Sequence, residues 1–312
     1  MKQIFYTLFS FILFALFFEG FLQGAHIITP PHVTLHDTFG RIYKADKRYV
    51  TFNEGFSVLE TNKYGYIGPG CPPAKNDSVF RVALIGDSYV EGIQLFDRRH
   101  MRSRLEQELG GYSDSVQVLN FGRSGQDLRT AYIYYQLFVS KFSPDVIILF
   151  LSKEDLLGKD GNFGPSLSLK SDSLVIDTAF AQSPAYKVRK QLKFARQFSA
   201  YHLVRRVKNA YSNQNPGRIL FGKFYDLFHK GQQRNASQAT SGSRIINDPY
   251  LELNRLVFKA LARTGHILLV FHDEVPQHYK DLAISCSLPF VNVQDAFDLY
   301  LTTGYDPKYW QV

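Results

Sequence analysis

Short apolar runs alternate with longer stretches of helical spacing along this chain, most clearly after residue 79. "VFRVALIG" (79–86) predicts a buried strand, followed by a helix over 97–109. "VQVLN" (116–120) predicts a second strand, with a helix through "DLRTAYIYYQLFVSKF" (127–142). "DVIILFL" (145–151) is a third, and its unbroken apolar run fits a strand covered on both faces. The alternation lapses over 158–245, where loop-like stretches, a basic helix and the polar tract "KGQQRNASQATSGSR" (230–244), which reads as mobile, take its place. It resumes with a helix over 249–263, a strand "HILLVF" (266–271), a helix over 276–286, a strand "PFVNV" (289–293) and a short helix from Asp295.

Strands separated by helices imply right-handed crossovers and a parallel sheet with helices on both faces. The fold class predicted is therefore α/β, a three-layer sandwich with a flavodoxin-like parallel sheet. The segment 158–245 is placed as an insertion above it. Residues 25–78 read as an irregular lead-in, with "EGFSVLETNKYGYIGPG" (54–70) as a strand and turn, and 79–312 as the main domain.

The N-terminus differs from the rest. "IFYTLFSFILFALFF" (4–18) holds fifteen uncharged residues between Lys2 and Glu19. A membrane span needs about 20 residues, a length reached here only with Glu19 near the interface. No small-x-small cleavage pattern follows, so residues 1–24 are expected to form a retained signal-anchor rather than a removed signal peptide. An all-round Phe/Leu surface argues against a buried core helix. The bulk of the chain is then expected outside the cytoplasmic membrane, although Arg41, Lys44, Lys47 and Arg48 on the far side leave orientation open.

Composition adds little to this. A chain of 312 residues, 45% hydrophobic, can bury one large core. Cys71 and Cys286 are too few for a metal cluster and read as inert thiols. No phosphate loop, dinucleotide fingerprint or HExxH run is present, and no cofactor is expected. The net charge of +8 is accounted for by residues 185–211, with eight Lys/Arg and no acid. That stretch reads as one helix with Val188, Leu192, Phe198, Leu203 and Val204 as apolar contacts. It is either a solvated cationic face or a surface for anionic lipid headgroups or an acidic polymer. Nucleic acid is not an expected partner.

The chemistry is concentrated at "RVALIGDSYVEG" (81–92), where Ser88 follows a buried strand and opens a helix. Backbone N–H groups and the helix dipole favour negative charge there. Gly86 allows close approach, and Asp87 can bond loop amides. The ordinary alternative is a helix cap at Asp87 or Ser88. "VLNFGRSGQD" (118–127) ends the second strand with two glycines, and "LFLSKED" (149–155) ends the third.

With these blocks the chain resembles the SGNH (GDSL-like) hydrolase superfamily over about residues 50–300, and "EGFSVLETNKYGYIGP" looks like the lead-in of its membrane-anchored members. The resemblance implies Ser88 as nucleophile and the Gly125 N–H as part of an oxyanion hole, with no metal or organic cofactor. Two positions depart from the family's pattern. Glu154 stands where the family has an asparagine amide that donates to the oxyanion. An ionised carboxylate only accepts, and a lost donor lowers turnover on the order of 10²–10³. Burial could keep Glu154 protonated and donating; otherwise it pairs with Lys153 or a loop amide. Asn162 is a further candidate amide. The family also closes with Asp-x-x-His, whereas here Tyr309 stands three residues after Asp306. The expectation is a histidine beyond Val312; the alternative is that the base is lost. His272 ends a strand at the correct edge of the sheet, where its ordinary reading is a solvent-facing residue beside Asp273. His100 and His278 read as helix-surface residues.

The resemblance thus implies a serine esterase or O-acyltransferase acting on acylated carbohydrate or cell-envelope material, or another small ester. The N-terminal helix would hold it to the membrane. The alternative is a catalytically inactive envelope protein that binds or helps assemble glycan. Oligomeric state is not fixed by the sequence.

Overall fold

In the computed structural model of the chain, five of the strands after residue 79 pair into one parallel sheet. The structure describes residues 2–25, 32–51, 56–112, 115–158, 164–171, 173–212, 248, 250–295 and 298. The chain divides into two units: residues 1–31 with 188–247, and residues 32–187 with 248–312.

The larger unit begins with two antiparallel hairpins, β1 (Val33–His36) with β2 (Gly40–Tyr43), and β3 (Lys47–Thr51) with β4 (Ser57–Thr61). The lead-in is therefore more regular than expected. Its strands are only four or five residues long, too short for their alternation to stand out. The sheet itself contains β5 (Phe80–Ile85), β6 (Val116–Asn120), β7 (Val146–Leu151), β10 (Ile267–Phe271) and β11 (Phe290–Asn292), in the order β6-β5-β7-β10-β11. All four pairings are parallel. This is the flavodoxin-like order, in which the chain reverses its direction of winding on either side of the first strand.

Period-two alternation separates the two faces of β5. Val82 and Leu84 pack with Met101, Leu105 and Leu109 of α3 (Met101–Gly110). Ala83 and Ile85 face a larger core with residues of α4 (Leu128–Leu137), α8 (Leu251–Ala262) and α9 (Gln277–Ser285). Many of the aromatics belong to this core: Tyr66, Phe121, Tyr134 and Phe142 are each at most 3% exposed. A further hairpin, β8 (Ser166–Lys170) with β9 (Ser173–Asp177), stands where a loop was expected and packs on α4 and α8.

At the amino end of the sheet, Arg81 is 1% exposed and fully engaged. Its Nε and Nη2 donate to Gln117, and its Nη1 donates to the Pro73 and Phe142 carbonyls. Its amide donates to Asp145, which Lys75 pairs at 2.5 Å.

In the smaller unit, α1 (Lys2–Gly24) is 23 residues long and apolar enough to cross a membrane, which is compatible with an anchor or a signal sequence. The basic stretch is not one helix. It is divided into α6 (Pro184–Gln191), which begins in the larger unit, and α7 (Ser199–Ser212), with a single 3-10 turn at Ala195–Gln197. Glu19 of α1 accepts the Ser199 and Ala200 amides at 2.6 and 2.9 Å, capping the start of α7. The polar tract 230–244 and the helix expected from Asp295 lie wholly or partly outside the described residues.

Candidate active site at the carboxyl ends of the strands

Where β5 ends, the chain turns into the four-residue helix α2 (Ser88–Glu91). Its N-cap is Asp87, 6% exposed, whose carboxylate accepts the Tyr89 amide at 2.9 Å. With Asp87 in that role, Ser88 is not needed as the cap, and it is exposed at the rim. Gly86 is required for space: a Cβ there would lie 2.5 Å from Val90 Cγ2 and 3.0 Å from Phe150 Cβ.

The second loop is laced to this turn. Phe121 and Arg123 amides donate to the Leu84 and Gly86 carbonyls at 2.8 and 2.9 Å. Asn120, fully buried, donates to the Val90 carbonyl and accepts the Gly122 amide. Gly122 lies against the α2 backbone, where any Cβ would overlap Glu91 and Val90. Ser124 and Tyr43 hydroxyls both donate to the Glu91 carboxylate, and burial pushes the Tyr43 phenol well above its ordinary value, with Glu91 adding to it. Ser88 and Gly125 therefore each stand two residues past a directly bonded pair, Gly86 and Arg123, on adjacent loops. Gly125 has φ +76°, a left-handed conformation suited to glycine.

The third loop is fixed at its first turn. Ser152 and Asp155 form a capping box at the start of α5 (Lys153–Leu157): Asp155 Oδ2 accepts the Ser152 amide at 2.9 Å and its hydroxyl at 2.8 Å. Glu154 is exposed on the first turn. Asn162, Asp306 and Tyr309 lie outside the described residues.

His272 is the residue the sequence undervalued. It follows β10, and its imidazole is 11% exposed rather than solvent-facing. The ring lies against the residues flanking Ser88, with Nε2 4.0 Å from Asp87 Oδ1 and the centroid 4.6 Å from that of Tyr89. Nε2 is buried without a hydrogen-bond partner. Asp87, Asp155 and His272 bring their ligating atoms within 4.8 Å of one another, a donor set that could also take a cation. Asp155 is already committed to Ser152, and Asp87 to Tyr89. The strand-end position was the signal available in the sequence; the inward turn of the ring was not.

His100 is also not a surface residue. It is 1% exposed, caps α3 by accepting the Arg102 amide at 3.2 Å, and contacts the Glu91 carbonyl through Nε2 at 3.0 Å. His278 is exposed, as its spacing suggested.

Beside Gly125 opens a cleft, continuous with solvent, bordered by Phe39, Arg41, Glu91, Arg123, Gln126 and Tyr134.

No protein-family profile matches the chain, and no curated protein matches its sequence. Among solved structures, the esterase AlinE4, described as an SGNH-hydrolase family esterase, aligns at 13% identity over 70% of this chain and 77% of its own, with a TM-score of 0.32. Two mutants of AlinE4 align equally. The likeness is too slight to bear on the site.

Proposed function

We propose that the chain is a serine esterase or acyl-transfer enzyme with Ser88 as nucleophile and His272 as its base. Ser88 Oγ attacks the carbonyl carbon of an ester while His272 Nε2 takes the hydroxyl proton. The tetrahedral oxyanion is held by the backbone N–H groups of Ser88 and Gly125. Collapse breaks the ester C–O bond, and the leaving alcohol takes the proton back from His272. Water or a sugar hydroxyl then attacks the acyl-enzyme, giving its proton to His272, and Ser88 leaves with that proton. Glu154 contributes no donor to the oxyanion in this scheme. The base was expected beyond Val312; in this reading His272, just after β10, takes that role. Acylated carbohydrate of the cell envelope is the proposed substrate, with α1 holding the larger unit at the outer face of the membrane.

The observation that carries the reading is an exposed serine, relieved of capping by Asp87, whose two chain neighbours Asp87 and Tyr89 lie against an imidazole with no hydrogen-bond partner at Nε2. A fluorophosphonate probe on the full chain tests it. Labelling lost in Ser88→Ala is expected; no labelling, or equal labelling in Ser88→Ala, overturns it. One observation favours a second reading as a non-catalytic glycan-binding protein: the exposed carboxylate of Glu154 stands where an amide donor would be needed. Sugar binding in a chain that never labels would decide for that reading.

A further inference from the structure

Along α1 the large apolar side chains from Ile4 to Phe17 are each at least 50% exposed. A helix rises about 1.5 Å per residue, so Lys2 and Glu19 stand about 26 Å apart along the axis, close to the ~30 Å hydrocarbon core of a bilayer. Contact with α7 comes at the far end of this bare stretch. There the Glu19 carboxylate accepts the Ser199 and Ala200 amides and a Gln23 amide bond at 2.6 Å, and Leu22 is buried. Because Ile4 to Phe17 stay open, α7 does not run back along the span. It starts where the span ends.

The chain around that start is both apolar and cationic. Residues 185–211 carry eight Lys/Arg and no Asp or Glu. At 100° per residue, Leu203, Val204 and Val207 share one side of α7, with Arg205 opposite and Lys208 at the border. Val204 and Val207 are 67% and 40% exposed, so nothing in this unit fills that side. Phe194, just before the 3-10 turn, is 70% exposed and meets Phe198 edge to face with ring centroids 5.2 Å apart.

We infer that α7 and the turn before it lie in the interface of an anionic phospholipid bilayer, with Phe194, Val204 and Val207 at the acyl boundary and Arg205 and Lys208 among the headgroups. The apolar side chains select this partner. A solvated cationic face has no use for exposed Phe and Val, and an acidic polymer in water would leave them uncovered. A lipid interface takes up both components of an amphipathic helix at once. Lys and Arg at the border of such a helix extend their apolar stems along it and place the charge at the phosphates. Glu19 sets the depth, since α7 leaves the interface only by giving up both amide bonds to that carboxylate. The inference rests on α1 crossing the membrane and is independent of the chemistry at Ser88.

Hydrogen exchange read by mass spectrometry on the full chain in lipid nanodiscs tests this. Discs of phosphatidylcholine alone are compared with discs in which about a third of the lipid is phosphatidylglycerol. Amides of α7 are expected to exchange about fivefold more slowly in the anionic discs, and about 0.5 M salt should remove the difference. Arg205→Glu combined with Lys208→Glu, both at exposed positions, should abolish it while exchange over residues 4–17 is unaltered. Phe194→Ser combined with Val204→Ser should reduce it below about twofold, because the charges alone hold the helix less closely. Equal exchange in the two kinds of disc, or a difference that survives the charge reversal, overturns the inference. Heparin slowing the same amides in phosphatidylcholine discs as much as phosphatidylglycerol does would assign the surface to an acidic polymer and overturn the lipid assignment. Carbonate extraction checks α1 by itself: a chain that carbonate releases from vesicles removes the span and this inference with it. Fluorophosphonate labelling is indifferent to all these outcomes, so the esterase reading stands or falls apart from them.

Discussion

The two ends of the central sheet treat buried polar groups in opposite ways. At the amino end, Arg81 is buried with its guanidinium shared among Gln117, Pro73 and Phe142, and Asp145 beside it is bonded by the Arg81 amide and by Lys75. At the carboxyl end, His272 Nε2, Arg123 Nε and both amide atoms of Gln126 are buried with no partner. Burying a polar group is costly in both places. One end recovers that cost within the protein, and the other does not. Other unpartnered atoms among the described residues are Arg102 Nε and Asn254 Oδ1, on side chains whose other atoms are bonded, and His32 Nδ1 and Ser199 Oγ.

Substitution at each end should break the comparison in a different quantity. His272→Gln removes the proposed base, so hydrolysis of p-nitrophenyl acetate should fall by about 10²–10⁴-fold. Its melting midpoint should hold or rise, because an unpartnered imidazole is lost. An unchanged rate would show that the proton goes elsewhere. Arg81→Met should do the reverse. It strips the donors from Gln117 and from the Pro73 and Phe142 carbonyls, which should lower unfolding stability by about 3 kcal/mol. Urea unfolding measures this, and the rate per folded molecule should be unaltered.

The same contrast explains what could be read in advance. The sheet was legible because its strands are continuous apolar runs: β6 falls on the expected residues 116–120, and β7 and β10 differ from expectation by one residue at one end. Ser88 was legible because a serine after such a run has few structural reasons to be there. His272 was not, since a strand-end histidine beside Asp273 looks the same whether it faces solvent or the next loop. His100 was misread because its place just before a helix hides a capping ring bonded at both nitrogens. The basic stretch was read as one helix because periodicity cannot register the Glu19 carboxylate, 180 residues earlier, that caps a new start at Ser199. Gln126 gave no sign at all, because bonds a side chain does not make leave no mark in a sequence.

Gly125→Ala sharpens the comparison with a smaller effect. A Cβ at that position meets nothing within 4 Å, so the only penalty is the left-handed backbone at φ +76°. That penalty is about 1–2 kcal/mol for a non-glycine residue. The expected result is a melting midpoint lower by about 2–6 °C, with loss of esterase rate if the loop relaxes and moves its N–H. A fall in melting temperature far beyond that range would mean the loop is packed more tightly than its open space indicates.

The smallest effect concerns pH and joins the two halves of the site's scaffold. Burial, reinforced by the nearby Arg102 charge, holds the His100 imidazole below its ordinary value, against an opposing hydrogen bond to the Glu91 carbonyl. Since Nδ1 accepts the Arg102 amide, the ring proton is assigned to Nε2, which donates to Glu91 at 3.0 Å. A second proton would have to sit on Nδ1, facing the Arg102 N–H, and would undo the cap of α3. The unfolded chain takes up that proton near pH 6.5 and the folded chain only at lower pH. Stability supplied by neutral His100 is therefore full above about 6.5 and declines as pH falls toward the folded value, by at most about 1.4 kcal/mol per pH unit. His32, also held low by burial and by Lys44, acts in the same direction. His100→Asn keeps a capping oxygen but does not titrate, so urea midpoints measured between pH 5 and 7 should slope less steeply than in the unmodified chain. An equal slope would assign the acid sensitivity to His32 and leave the α2–α3 junction, and with it the turn that presents Ser88, insensitive to pH in this range.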